Sequence, residues 1–184
     1  MNTKFVLHGG FNKEIGFIKD EFFQEMLKDA PKNAKVLLVY FAESEEMRPV
    51  RTKQGISQFE KNKGSGNIET RIASQNTFIK DCKWADVIFF SGGRTMRLME
   101  ALKKYADLDE VFKGKTIGGD SAGANFLGRY FYSKGLQEVG EGLEILPFKI
   151  LVHYIDGAPN PLSDIEPNLE TLFLREYETV VKFC

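Results

Sequence analysis

Thr116-Ile117-Gly118-Gly119-Asp120-Ser121-Ala122-Gly123-Ala124-Asn125 is the stretch on which the reading of this chain turns. A short β-branched run leads into glycines, and Gly119-Asp120-Ser121-Ala122-Gly123 has the form G-x-S-x-G, a serine on a sharp turn between a strand and a helix. The pattern has a steric cause, because such a turn needs small residues two before and two after the serine. The following run, Asn125–Tyr132, reads as helical. The hydroxyl then projects over a helix start, where the Ala122 N–H and the helix dipole stabilise an oxyanion. Without chemistry the same five residues would be only a tight turn; the strand–turn–helix context favours a nucleophile.

Working outward, short β-branched or aromatic runs alternate with segments of helical period, which predicts an α/β fold with a mostly parallel sheet covered by helices on both faces. The predicted strands are Lys4–His8, Lys35–Phe41, Asn67–Ala73, Asp86–Phe90 and Lys115–Gly118. Ile15, Ile18, Phe22, Phe23, Met26 and Leu27 recur at helical spacing, as do Met96, Leu98, Leu102 and Tyr105. Glu46–Lys63 reads as a further helix. Toward the C-terminal side, Lys149–Val152 reads as a strand running into His153, and Tyr177–Phe183 as a closing strand. Leu169–Leu174 fits either helix or strand. Three strands end in glycine pairs, at Gly9-Gly10, Gly92-Gly93 and Gly118-Gly119. Their convergence points to a site beyond the carboxyl ends of the strands, where parallel sheets bind ligands.

Composition narrows the function classes. The 184 residues suit a single domain spanning 1–184, with no linker or repeat to divide them. Lys and Arg number 25 against 26 Asp and Glu, interspersed, for a net charge of −1, which disfavours nucleic acid as a partner. The longest apolar run, Val36–Ala42, is far short of the roughly 20 residues that span a bilayer, so no membrane segment is expected. No signal-peptide core follows Met1, and two isolated cysteines, Cys82 and Cys184, suit a reducing cytoplasm. Gly114-Lys115-Thr116 lacks the upstream glycine of a phosphate-binding loop, there is no G-x-G-x-x-G, and two distant histidines without a cysteine cluster make a metal centre unexpected. No cofactor is expected either.

A serine needs an adjacent base to take its proton. Only His8 and His153 are available. His153, at a strand end followed by loop, is the better candidate, and His8 is expected to shape the site wall. A carboxylate should orient the imidazole. Glu138, Glu141 and Glu144 precede His153; Asp156, Asp164, Glu166, Glu170, Glu176 and Glu178 follow it, and spacing does not choose among them. The charges on Lys13, Glu14, Lys19, Asp20 and Glu21 read as solvated surface.

Three ordered blocks, Trp84-Ala85-Asp86-Val87-Ile88-Phe89-Phe90-Ser91-Gly92-Gly93-Arg94-Thr95-Met96-Arg97-Leu98, Gly118–Asn125 and Leu146-Pro147-Phe148…Val152-His153-Tyr154, together with Leu7-His8-Gly9-Gly10, resemble the peptidase E (aspartyl dipeptidase) family of serine peptidases. The resemblance covers nearly the whole chain. It implies a three-layer, class I glutamine-amidotransferase-like (flavodoxin-like) architecture and hydrolysis of dipeptides or short peptides with N-terminal aspartate. Carried over by motif, Ser121 is the nucleophile, His153 the base, and the N–H groups of Gly93 and Ala122 the oxyanion hole. The acid falls on Glu176, with Glu178 as its neighbour and rival. Gly92, Arg94 and Asp120 adjoin the motifs as substrate-binding candidates: Arg94 for an acidic side chain, Asp120 for a free α-amino group. Rival readings are a non-peptidolytic ligand-binding protein on the same scaffold and an acyl-ester hydrolase using the same serine.

Overall fold

The strands that carry the three glycine pairs lie side by side in a six-stranded sheet of the computed structural model, which describes residues 2–184. In chain order the elements are β1 (Lys4–His8), α1 (Asp20–Leu27), β2 (Asn33–Val39), α2 (Arg48–Asn62), β3 (Asn67–Ile72), α3 (Phe78–Trp84), β4 (Val87–Phe90) and α4 (Thr95–Leu102). They continue with α5 (Leu108–Phe112), β5 (Thr116–Asp120), α6 (Ala122–Asn125), β6 (Tyr130–Ser133), β7 (Glu138–Glu141), β8 (Lys149–Tyr154), β9 (Thr171–Arg175) and β10 (Thr179–Phe183). The large sheet has the order β10-β1-β5-β4-β2-β3 and is parallel except for β10, which runs antiparallel to β1.

Alternation along its strands builds two cores. Val6, Val36, Leu38, Val87 and Phe89 point to one face, where they meet Phe22, Phe23 and Met26 of α1 and Phe59 of α2. Phe5, Leu7, Leu37, Val39, Ile88, Phe90 and Ile117 point to the other, under Phe78, Leu98, Phe112 and Phe126. Central strands buried on both faces read as continuous apolar runs, which is why β2 and β4 stood out in the sequence.

A second sheet of four strands, β7-β6-β8-β9, packs Ile150, Val152, Leu172 and Leu174 into the second of those cores. It was not foreseen. The predicted helix Asn125–Tyr132 is corrected: the helix lasts one turn, to Asn125, and Tyr130 already begins β6. Tyr130-Phe131-Tyr132 suits a pleated, half-buried surface better than a helix face, and Phe131 is fully buried. The segment left open at Leu169–Leu174 is strand β9. The closing strand, read as Tyr177–Phe183, begins two residues later because Tyr177 (φ 62°) lies in a left-handed turn. Among the described residues no helix is long and apolar enough to cross a membrane.

Candidate active site

Ser121 follows β5 directly and carries φ 49° and ψ −102°, outside the relaxed regions for an L-residue. Such a conformation persists only where its surroundings hold it. Its N–H donates to the His8 carbonyl (3.0 Å), and its own carbonyl accepts from Ala124 and Asn125 (2.9 Å each). The flanking glycines are there for space. A Cβ on Gly119 would collide with the carbonyl of Gly123, and one on Gly123 with the carbonyl of Phe90. The turn is therefore wedged between its own second half and the end of β4. Because α6 is a single turn, its macrodipole is small, and anion stabilisation must come from individual N–H groups. The N–H groups of Gly93 and Ala122 donate no hydrogen bond among the described residues.

His153 sits not after β8 but within it, at an irregularity in the pairing with β9 between Val152 and Tyr154. Its backbone is left-handed (φ 51°) and anchored on both sides: the N–H donates to Gly9 O (2.8 Å) and the carbonyl accepts from Lys134 Nζ (2.8 Å). The imidazole lies against Gly10, where any side chain would occupy the ring's place. Its Nε2 is 3.1 Å from Ser121 Oγ, and its Nδ1 is 3.0 Å from Glu176 Oε1. A carboxylate only accepts. Nδ1 therefore donates to Glu176, leaving Nε2 to accept a hydrogen bond from the Ser121 hydroxyl. Glu176 is in the turn between β9 and β10, held to the end of β1 by Tyr177 N–H to Gly10 O (2.8 Å) and Gly9 N–H to Glu178 O (3.1 Å).

Of the other acids, Glu178 is engaged by the backbone N–H of Arg175 (2.8 Å) and by its guanidinium. Glu144 and Glu166 pair with Arg129, and Asp156 with Arg175. Glu138 lies on β7. His8 is fully buried beneath the elbow: its Nδ1 is 2.7 Å from Asp120 Oδ1, and its Nε2 has no partner. It backs the strand that leads into Ser121 and borders neither cavity beside the serine.

Ser121, His153 and Gly93 separate two cavities. One, of about 220 Å³, is bordered by Arg94, Met96, Tyr132, Lys134 and Leu136; the other, of about 230 Å³, by Phe11, Lys13, Glu43, Arg51, Gly92 and Asp120. Arg94 and Asp120 thus lie on opposite sides of the serine. A grip by both on one terminal residue, as expected from sequence, does not fit a single cavity. Glu43, Arg51 and Lys134 were missed, and Lys13 was taken for solvated surface. Glu43 had a signal, standing just past the carboxyl end of β2 where parallel sheets place ligands; Arg51, inside α2, had none. Among the described residues no group of three His, Cys, Asp or Glu is placed to hold a metal ion.

The sequence model of peptidase family S51 matches residues 6–179. No curated protein matches the chain in sequence. Among solved structures, a peptidase from an acI-B1 Actinobacterium is similar over 99% of this chain and 84% of its own, with 21% identity and a TM-score of 0.73. A putative peptidase E protein from Listeria monocytogenes EGD-e is similar over 100% of both chains, with 18% identity and a TM-score of 0.62. These likenesses show the fold, mostly parallel α/β of the class I glutamine-amidotransferase-like kind.

Proposed function

The chain belongs to peptidase family S51, and from that premise we propose that it is a serine-type exopeptidase acting on dipeptides or short peptides with N-terminal aspartate. One observation carries the serine mechanism: Ser121, His153 and Glu176 form a chain of hydrogen bonds, 3.1 and 3.0 Å long, at the junction of two cavities. In the reaction, Ser121 Oγ attacks the first peptide carbonyl while its proton passes to His153 Nε2. The Gly93 and Ala122 N–H groups receive the negative charge that develops on the carbonyl oxygen. The C–N bond breaks, the imidazolium returns its proton to the leaving amine, and water, deprotonated by the same imidazole, releases the acyl group. Glu176 holds the imidazole in the productive tautomer and offsets its charge.

The charges around the serine support a short substrate. Arg94 and Lys134 border the first cavity, a pairing suited to the carboxylate of the leaving residue. Gly92 and Asp120 border the second. Steady-state hydrolysis of an Asp-Leu dipeptide tests the proposal. Wild type should turn it over, and Ser121→Ala should lower kcat/KM by at least about 10³-fold, the scale of losing a covalent nucleophile. Equal cleavage by both proteins would sink the mechanism. A binding protein that retained the elbow only for folding would cleave the dipeptide in neither form.

A further inference from the structure

The large sheet ends on one side at β3, and among the described residues no strand pairs with the outer edge of that strand. The Asn67 N–H donates to Lys32 O (2.6 Å) and the Ala73 N–H to Leu38 O (2.9 Å), both on the β2 side. Main-chain groups alternate sides along a strand, so the N–H and C=O groups of Ile68, Thr70 and Ile72 point away from β2. An edge of this kind is a template for another strand unless lysine, proline or a bulge blunts it. Asn67–Ile72 contains neither residue and pairs with β2 without a bulge.

The side chains of β3 sort by face. Ile68 packs into the core under α1 and α2. Ile72, 49% exposed, borders an open groove of about 830 Å³ together with Thr52, Lys53 and Ile56 of α2. Glu69 and Arg71 take the opposite face. Glu69 is exposed. Arg71 is held in place, with Nη1 on Asp81 (3.2 Å) and its guanidinium 4.0 Å from the ring of Trp84 at the end of α3. The rest of that guanidinium takes no hydrogen bond among the described residues.

We propose that two copies of this chain join edge to edge through β3, antiparallel about a two-fold axis at Thr70. In that register Thr70 faces the partner's Thr70 and Ile68 faces the partner's Ile72, and each pair exchanges the outward main-chain hydrogen bonds. Glu69 then falls opposite the partner's Arg71, and by symmetry Arg71 opposite the partner's Glu69. These are non-hydrogen-bonded pairs, in which side chains approach most closely. The charges select this register alone. A slip of two residues sets Glu69 against Glu69 or Arg71 against Arg71, and a slip of one sets outward main-chain groups against inward ones. On the other face the partner's Ile68 meets Ile72, the large apolar side chain that a single copy leaves open at the groove. The opposite edge of the sheet has no such complementarity, because Lys182 is the one charged residue of β10 and lies over Phe148 of its own chain (4.8 Å). The pairing is independent of the chemistry at Ser121.

Sedimentation equilibrium on charge-reversed variants tests it. Wild type should be a concentration-dependent dimer. Glu69→Arg and Arg71→Glu should each raise the dimer dissociation constant about tenfold or more, because each sets like charges opposite one another on both sides of the axis. An equimolar mixture of the two variants should dimerise again, since the arginines of one then face the glutamates of the other. A monomeric wild type overturns the proposal, as does a dimer that neither reversal weakens or a mixture that stays monomeric. Should Arg71→Glu not fold for want of its Asp81 contact, Thr70→Pro supplies the measurement. It removes an N–H that points out of the sheet, which an edge strand tolerates, so the chain should stay folded while the dimer is lost. A surviving dimer overturns the inference.

Discussion

Glu176 and Glu178 are two residues apart, and the left-handed Tyr177 between them sends them to different partners. Glu176 meets His153; Glu178 meets Arg175. Glu176→Gln should therefore lower kcat by about 10²- to 10⁴-fold, the usual range for general acid–base assistance, with the melting temperature nearly unchanged because its side chain is 42% exposed. Glu178→Gln should do the reverse, leaving kcat within a few-fold and lowering the melting temperature slightly. Kinetics and thermal melts on the two variants check this together. A large kcat loss in Glu178→Gln alone would exchange their roles. Spacing in the sequence could not separate these two acids, since which one reaches His153 depends on a single φ angle. The family resemblance did point to Glu176. The serine was legible from the residues themselves, because a turn this tight leaves small neighbours behind it. Glu43 and Arg51 were not, being brought to the cleft from a loop and a helix interior that share no motif.

At the level of elements, the β5–α6 elbow is held by contact between backbones. Gly123→Ala would drive a methyl group into the Phe90 carbonyl at the end of β4. Overpacking of this kind costs about 1–3 kcal/mol, so the urea midpoint should drop; kcat should fall as well, because relief of the clash requires β4 or the Ser121 turn to shift. Unchanged activity with an unchanged midpoint would mean the elbow is looser than its contacts indicate. The strands of the large sheet were readable because burial on both faces leaves uninterrupted apolar runs. The segment after the elbow was misread because Phe126, Leu127 and Phe131, all buried, satisfy a rough helical spacing. Their burial in fact comes from a second sheet, whose strand β7 carries one large apolar residue, Val139, and whose β9 is too short for its pattern to separate strand from helix.

For the molecule as a whole, the net charge of −1 hides groups that respond to acid in opposite ways. Lys61 holds the Asp20 carboxyl below its ordinary value, and Lys4 does the same for Asp29. Stability from such groups is present above the unfolded-state pKa and is lost as pH falls through the folded-state value. Glu43 is raised, chiefly by burial. The folded chain then binds its proton more tightly than the unfolded one, so this group adds stability as pH falls and withdraws it as pH rises through the raised value. Removing it should make acid destabilisation steeper: between pH 7 and 4, urea midpoints of Glu43→Gln should fall faster than those of wild type. Parallel curves would show that Glu43 is not held in a desolvated place.

The pairing of β1 has a consequence in time. That strand, which ends at His8 and the glycines beneath the cleft, is flanked by β5 on one side and β10 on the other. During synthesis it must wait for residue 120 before gaining its first neighbour and for residue 183 before gaining its second, and contacts of such long sequence separation form late. Ser121, His153 and Glu176 meet only once the turn between β9 and β10 docks on the end of β1. A chain made only as far as β8 therefore holds Ser121 and His153 without the carboxylate that meets the imidazole.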